Sequence, residues 1–352
     1  MAAYTTIDDP SAYFKVQLWT GNGSGSRAIA FDDTDTNMLP DFVWIKARSL
    51  QDNHELYDSV RGVQKRVMSN DNGAEETRSQ GLLAFSSDGF TIGTSDGVNK
   101  NTETYVSWNW KAGTSFTNDA SSTGIGTIDS SGSVSDVAGF SICTYTGTGS
   151  NATIKHGLSS APHVVWTKQR NATQKWITYN KSLGAANTLH LDTTEVLQDN
   201  SAFNDTDPTT SVFSVGTIVN SNESSGTYVA YSFAPIQGFS KVGGKYFGNG
   251  STNGPYVHCG FRPAWVMCRV TGVTNDWTIL DNTRDSFNVS NSRLYANTDG
   301  TESDTDRADF LANGFKIRGD GNDTNGSGQT YTFMAFAESP FVNSNGVPNN
   351  AR

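Results

Sequence analysis

Three observations predict an all-β chain made of three tandem β-sandwich repeats, of the jelly-roll or lectin-like kind. One motif recurs three times in the same company. Apolar residues alternate with period two. Gly, Asn, Asp, Ser and Thr interrupt the apolar runs at short intervals.

The recurring motif is Pro, an apolar strand and a cation. It reads Pro40-Asp41-Phe42-Val43-Trp44-Ile45-Lys46, then Pro162-His163-Val164-Val165-Trp166-Thr167-Lys168, then Pro263-Ala264-Trp265-Val266-Met267-Cys268-Arg269. An aromatic and Gly-rich turn precedes each copy: Trp19-Thr20-Gly21-Asn22-Gly23, Tyr145-Thr146-Gly147-Thr148-Gly149 and Tyr246-Phe247-Gly248-Asn249-Gly250. A short strand follows each, ending at Asp58, Asn180 and Asp281, and each unit closes on a longer strand, Tyr105 to Trp110, Tyr228 to Phe233 and Tyr331 to Phe336. The motif prolines lie 122 residues apart (Pro40 to Pro162) and then 101 (Pro162 to Pro263). The extra length falls in a Ser/Gly-rich stretch that reads as a linker.

These anchors set the expected boundaries. An N-terminal arm spans 1–12, a first sandwich 13–112 and the linker 113–138. A second sandwich spans 139–236, a third 237–341 and a tail 342–352. In the closing strands Val106, Trp108 and Trp110 share one face, as do Val229, Tyr231 and Phe233. Small or polar residues such as Ser107 and Asn109 stand opposite, which predicts one buried face and one partly covered or wet. Three sandwiches in a row make either separate beads or a closed pseudo-threefold body. The short gap from Ala234 to Phe239 predicts that the second and third pack rigidly.

Composition narrows the function. Hydrophobic residues are 35% of 352, low for one large core, and the net charge is −10. An acidic chain repels phosphate backbones, so nucleic acid is not an expected partner. No apolar run reaches the length of a membrane span, and the polar N-terminus predicts synthesis in a cytoplasm without a secretory signal. Cys143, Cys259 and Cys268 are expected as free, mostly buried thiols.

Catalytic signatures do not emerge. There is no Gly-x-Ser-x-Gly elbow, phosphate loop or His-Glu-x-x-His, and the five histidines are scattered. No catalytic, cofactor-binding or metal residue is expected. Asp33-x-Asp35-x-Asn37 begins like a calcium loop, but Met38 stands where the turn needs glycine. Most tryptophans occupy recurring strand positions and are expected in the core; Trp19, beside a Gly-Asn-Gly turn, is expected at the surface. With Asn22 and Asn249 in the loops, and the Asp281/Arg284 pair that echoes Asp58/Arg61, it completes the set of expected surface or ligand contacts.

Several segments carry a family resemblance: Ile7-Asp8-Asp9-Pro10-Ser11-Ala12-Tyr13-Phe14, Gly139-Phe140-Ser141-Ile142 with His156-Gly157-Leu158 and Ala161-Pro162, Cys259 to Met267, and Ala335 to Phe341. They resemble the repeat proteins of marine bacteriophage virions and tail fibres, over about residues 5 to 342. The first copy departs most, with no His-Gly-Leu. The resemblance implies a non-enzymatic virion protein at the tail or its fibres that contributes to host attachment. Capsid decoration and a carbohydrate-binding, lectin-like module are the alternatives. It also implies other virion proteins, further copies of the chain and a host-surface glycan as partners.

Overall fold

The computed structural model describes residues 3–31 and 36–349, without the Asp306 side chain. The chain is all-β, and its described residues form many short strands with three four-residue helices and one 3-10 turn. Asp33 and Asp35 of the calcium-loop pattern lie outside the described residues.

One connection pattern occurs three times. In the first unit the sheet order is Phe14–Thr20, Thr104–Trp110, Phe42–Ala47, Glu55–Asp58. The second repeats it with Phe140–Thr146, Thr227–Phe233, Val164–Gln169 and Ile177–Asn180, and the third with Ser240–Phe247, Thr330–Pro340, Phe261–Val270 and Thr278–Asp281. The closing strand is central in each, so it carries the large aromatics that need most cover. A second layer packs on each sheet. It is Arg27–Ala30, Gly89–Ile92 and Leu82–Ser86 in the first unit, and Ala152–Lys155 with Val212–Val215 in the second. In the third the sheet itself continues through Ser290–Tyr295, Ser303–Leu311, Gly314–Ile317 and Tyr256–His258 to eight strands.

Both faces of the principal sheets are buried, which decides the second face, expected to be partly covered or wet, in favour of cover. Tyr105 points into the first sandwich and Tyr228 into the second. Val106, Trp108 and Trp110 point the other way, as do Val229, Tyr231 and Phe233, into a core shared by all three units. At its centre Trp110, Phe233 and Phe336 meet pairwise, with ring centroids 5.6–6.4 Å apart. These rings occupy equivalent positions, one per closing strand. Ser107 and Asn109 look wet in sequence but are fully buried, because Asn109 Nδ2 donates to Ser107 Oγ at 2.9 Å and to Lys15 O at 3.1 Å. These acceptors offset the cost of burying the amide N–H groups, while Asn109 Oδ1 is buried without a hydrogen bond among the described residues.

The stretch 113–138 differs from the expected linker. Thr114–Asn118 and Ser130–Ser135 are strands joined by the helix Ala120–Thr123, and Ser130–Ser135 pairs antiparallel with Phe140–Thr146. The insertion extends the second sheet to six strands. Its Ser/Gly composition reads as flexible because a hydroxyl-rich strand gains order only from a neighbouring edge. The tail is also held: Ser344 N donates to Asp8 Oδ1 at 2.6 Å, and Asn349 N to Phe341 O at 3.0 Å.

Candidate functional site

The units are joined by contacts that run in one direction around a cycle. The motif cation is the clearest case. Lys46, Lys168 and Arg269 are fully buried, since each ends a strand covered on both faces. Lys46 Nζ donates to Asp299 O of the third unit at 3.2 Å, Lys168 Nζ to Asn72 O of the first at 2.8 Å, and Arg269 to Glu195 O of the second at 2.6 Å. Burial pulls both lysines down to about 8 and Arg269 to about 10, against the nearby carboxylates.

The next position repeats the rule. Trp176 Nε1 donates to Met68 O at 2.7 Å, Trp277 Nε1 to His190 O at 2.8 Å, and the equivalent His54 bonds Tyr295 O through Nε2 at 2.9 Å. His54 Nδ1 receives Trp44 Nε1 at 2.8 Å, so this imidazole is neutral and its pKa lies well below 6.5, chiefly from burial. Backbone bonds complete each junction: Glu302 N to Arg48 O, Glu75 N to Arg170 O and Leu197 N to Thr271 O, at 2.7–3.1 Å.

Two of the three junctions add a buried ionic network. Asp58 binds Arg61, whose guanidinium reaches Glu75, and Glu75 takes Arg170 of the second unit in two hydrogen bonds. Tyr231 of the second unit donates its hydroxyl to Asp58 at 2.7 Å. The second network is Asp281, Arg284, Glu302 and Arg48 of the first unit, with Trp108 Nε1 donating to Asp281 Oδ2 at 3.0 Å. Burial opposes the Arg61 charge, but Asp58, Tyr231 and Glu75 outweigh it and raise the pKa further. Burial likewise opposes the Glu75 and Glu302 charges, and the paired arginines outweigh it, so both carboxyls are lowered. At the third junction Asn180, Leu183, Leu197, Thr271 and Met334 stand at the positions of the network; Leu183, Leu197 and Met334 pack there as apolar side chains, and Asn180 Nδ2 donates to Thr332 Oγ1 at 2.6 Å.

The expected surface residues therefore divide. Asp281 and Arg284 are fully buried and hold the third unit against the first, so they are not ligand contacts. Trp19 is also buried, because it stacks on Tyr105 at 5.4 Å and gives its indole N–H to Val98 O at 3.0 Å. The same stack recurs as Tyr145–Tyr228 and Tyr246–Tyr331. Asn22 and Asn249 are exposed at equivalent loop tips, where each amide oxygen receives a backbone N–H two residues on. Behind each loop sits an asparagine that sequence reading passed over. Asn99 Oδ1 receives Asn22 N, Asn222 receives Thr148 N and Asn325 receives Asn249 N. Each lies six residues before the stacked tyrosine, a recurrence that was available as a signal.

One open polar groove runs over the inserted segment and the adjoining strands of the second sheet. It encloses about 610 Å³ and is lined by Thr117, Asp129, Ser131, Thr144, Thr227 and Arg170, among others. Hydroxyls and a carboxylate there offer donors and acceptors suited to a polyol. Among the described residues no group of three His, Cys, Asp or Glu side chains is placed to hold a metal ion, and no helix is long and apolar enough to cross a membrane. No curated protein matches the chain. A domain of unknown function, DUF7483, matches residues 9–340, so the chain belongs to that family.

Proposed function

We propose that the protein is a non-catalytic structural component of a bacteriophage particle, at the tail or its fibres, where it contributes to contact with the host surface. The observation that carries this reading is the cyclic locking of three lobes on one aromatic centre. It spends the buried charge at the junctions on intramolecular partners and leaves three equivalent polar loops outside, at Asn22, Thr148 and Asn249. A body of this kind suits repeated presentation of weak polar contacts, which gain strength by number. The resemblance of the repeat segments to virion proteins supplies the setting, with other virion proteins and further copies of the chain as neighbours. The hydroxyl-lined groove supports a host glycan as the surface ligand.

Cryo-electron microscopy of purified particles, with the three-lobed body fitted into density, tests the assignment. Density on the tail or its fibres is expected. Density on the capsid lattice would make the protein a decoration subunit, and absence from the particle would remove the virion role.

A further inference from the structure

The first strand of each unit is an edge of its principal sheet, and the three edges are treated differently. In every unit the edge faces the neighbouring lobe, beside the residue that follows the motif proline: Asp41, His163 or Ala264. The second unit's edge, Phe140–Thr146, is covered by the chain's own strand Ser130–Ser135, in the register Ser135–Phe140, Ser133–Ile142, Ser131–Thr144. Asp41 of the first unit lies 3.5 Å from Ser133 of that covering strand. The third unit's edge carries a register shift between Lys241 and Gly244, and His163 of the second unit hydrogen-bonds the backbone of Val242. A bulge and a capping side chain are ordinary ways to close an edge.

The first unit's edge shows no register shift, and side chains cap only its far end. Phe14–Thr20 pairs only with Thr104–Trp110 among the described residues. Backbone bonds at Tyr13 and Gly21 bracket that ladder, so its inward groups belong to the odd residues and those of Phe14, Val16, Leu18 and Thr20 point outward. The facing residue is Ala264, too short to reach the edge. Between them runs an empty groove of about 420 Å³, lined by Val16, Leu18, Ala264, Asn282, Ala337 and Glu338 with their neighbours. That far end is blunted, since Leu18 O accepts from Gln17 Nε2 at 3.0 Å and Thr20 O from Arg27 Nη1 at 2.5 Å, which leaves Phe14 and Val16 with open outward carbonyls among the described residues.

We infer that this edge is a docking site for one extended segment of a partner protein, which adds to the sheet antiparallel as Ser130–Ser135 does in the second unit. The internal strand shows that the geometry accepts a strand. The floor sets the chemistry. Where the internal strand lays Ser131 and Ser133 opposite Thr144 and Ile142, the open groove presents Leu18 and Val16, so the partner segment carries apolar residues at two alternate positions. A second copy of the chain does not fit, because its own edge is equally recessed and two recessed edges cannot meet. This inference stands apart from the virion assignment.

The probe is a labelled synthetic peptide of residues 128–137 with S131V and S133V, titrated into the full chain by fluorescence anisotropy. Saturable binding on the order of 100 μM is expected. Val16→Pro, which removes only an outward N–H, and Leu18→Lys, which charges the groove floor, should each weaken binding by about tenfold or more. Both side chains also pack against the shared core, so a retained cooperative thermal transition in each variant is what separates a lost site from a lost fold. Absence of saturable binding up to about 1 mM, or equal binding by the variants, would overturn the inference. So would dimerisation of the parent chain that V16P abolishes, because the occupant would then be a second copy.

Discussion

Arg61 and Arg284 are the most exacting residues of the molecule. Each guanidinium is fully buried, and each bridges an acid of its own turn to an acid that also binds the neighbouring unit. Removing one cation leaves two carboxylates in a desolvated place, so R61L alone should cost about 3–5 kcal/mol. The apolar third junction suggests the cure. Combining R61L with D58N, E75L, R170T and Y231M installs the set found at Leu183, Asn180, Leu197, Thr271 and Met334. Most of the loss should then be recovered, because a packed apolar contact replaces a charge network at little net cost. Urea unfolding of the single and combined variants checks both values. The recurrence of Asp58 with Arg61 and Asp281 with Arg284 was legible in the sequence. Its meaning was not, since a charged pair reads as surface until a neighbour is shown to bury it.

At the scale of elements, the inserted hairpin is the feature that composition most obscured. Gly132 marks how tightly it fits: a Cβ there would stand 1.9 Å from Ile142 O and 2.9 Å from Phe116 Cε1. The first of these neighbours is backbone and cannot swing away. G132V should therefore detach Ser130–Ser135 from Phe140–Thr146, with a loss of about 2 kcal/mol or more. Hydrogen exchange should speed up over those two strands while the first and third units keep their protection. Uniform exchange across the chain would contradict this, because it would mean that the hairpin is not a separable element. The principal strands were legible because β-branched and aromatic residues alternate in them. The hairpin was not, because Thr, Ser and Gly specify a strand only beside an edge that needs one.

At the scale of the whole molecule, the units are expected not to fold alone. Each motif cation takes a carbonyl from the next unit, and Trp110, Phe233 and Phe336 cover one another. An isolated 139–236 fragment would expose Val229, Tyr231, Phe233 and Trp166 and leave Lys168 short of Asn72 O. It should lack a cooperative transition, while the full chain unfolds in a single one; calorimetry on both reads the difference. Two resolved transitions in the full chain would show that the shared core does not couple the units.

The sequence by itself determined the principal strands, their succession along each unit and the three recurring anchors, because alternation and turn chemistry are local properties. Only the tertiary structure decided that the lobes close into a cycle, that the polar face of each closing strand is dry, and that Asp281 and Arg284 lie inside. Burial of a residue depends on what packs against it, and those partners come from the neighbouring unit, 74 to 254 residues away in the hydrogen bonds described.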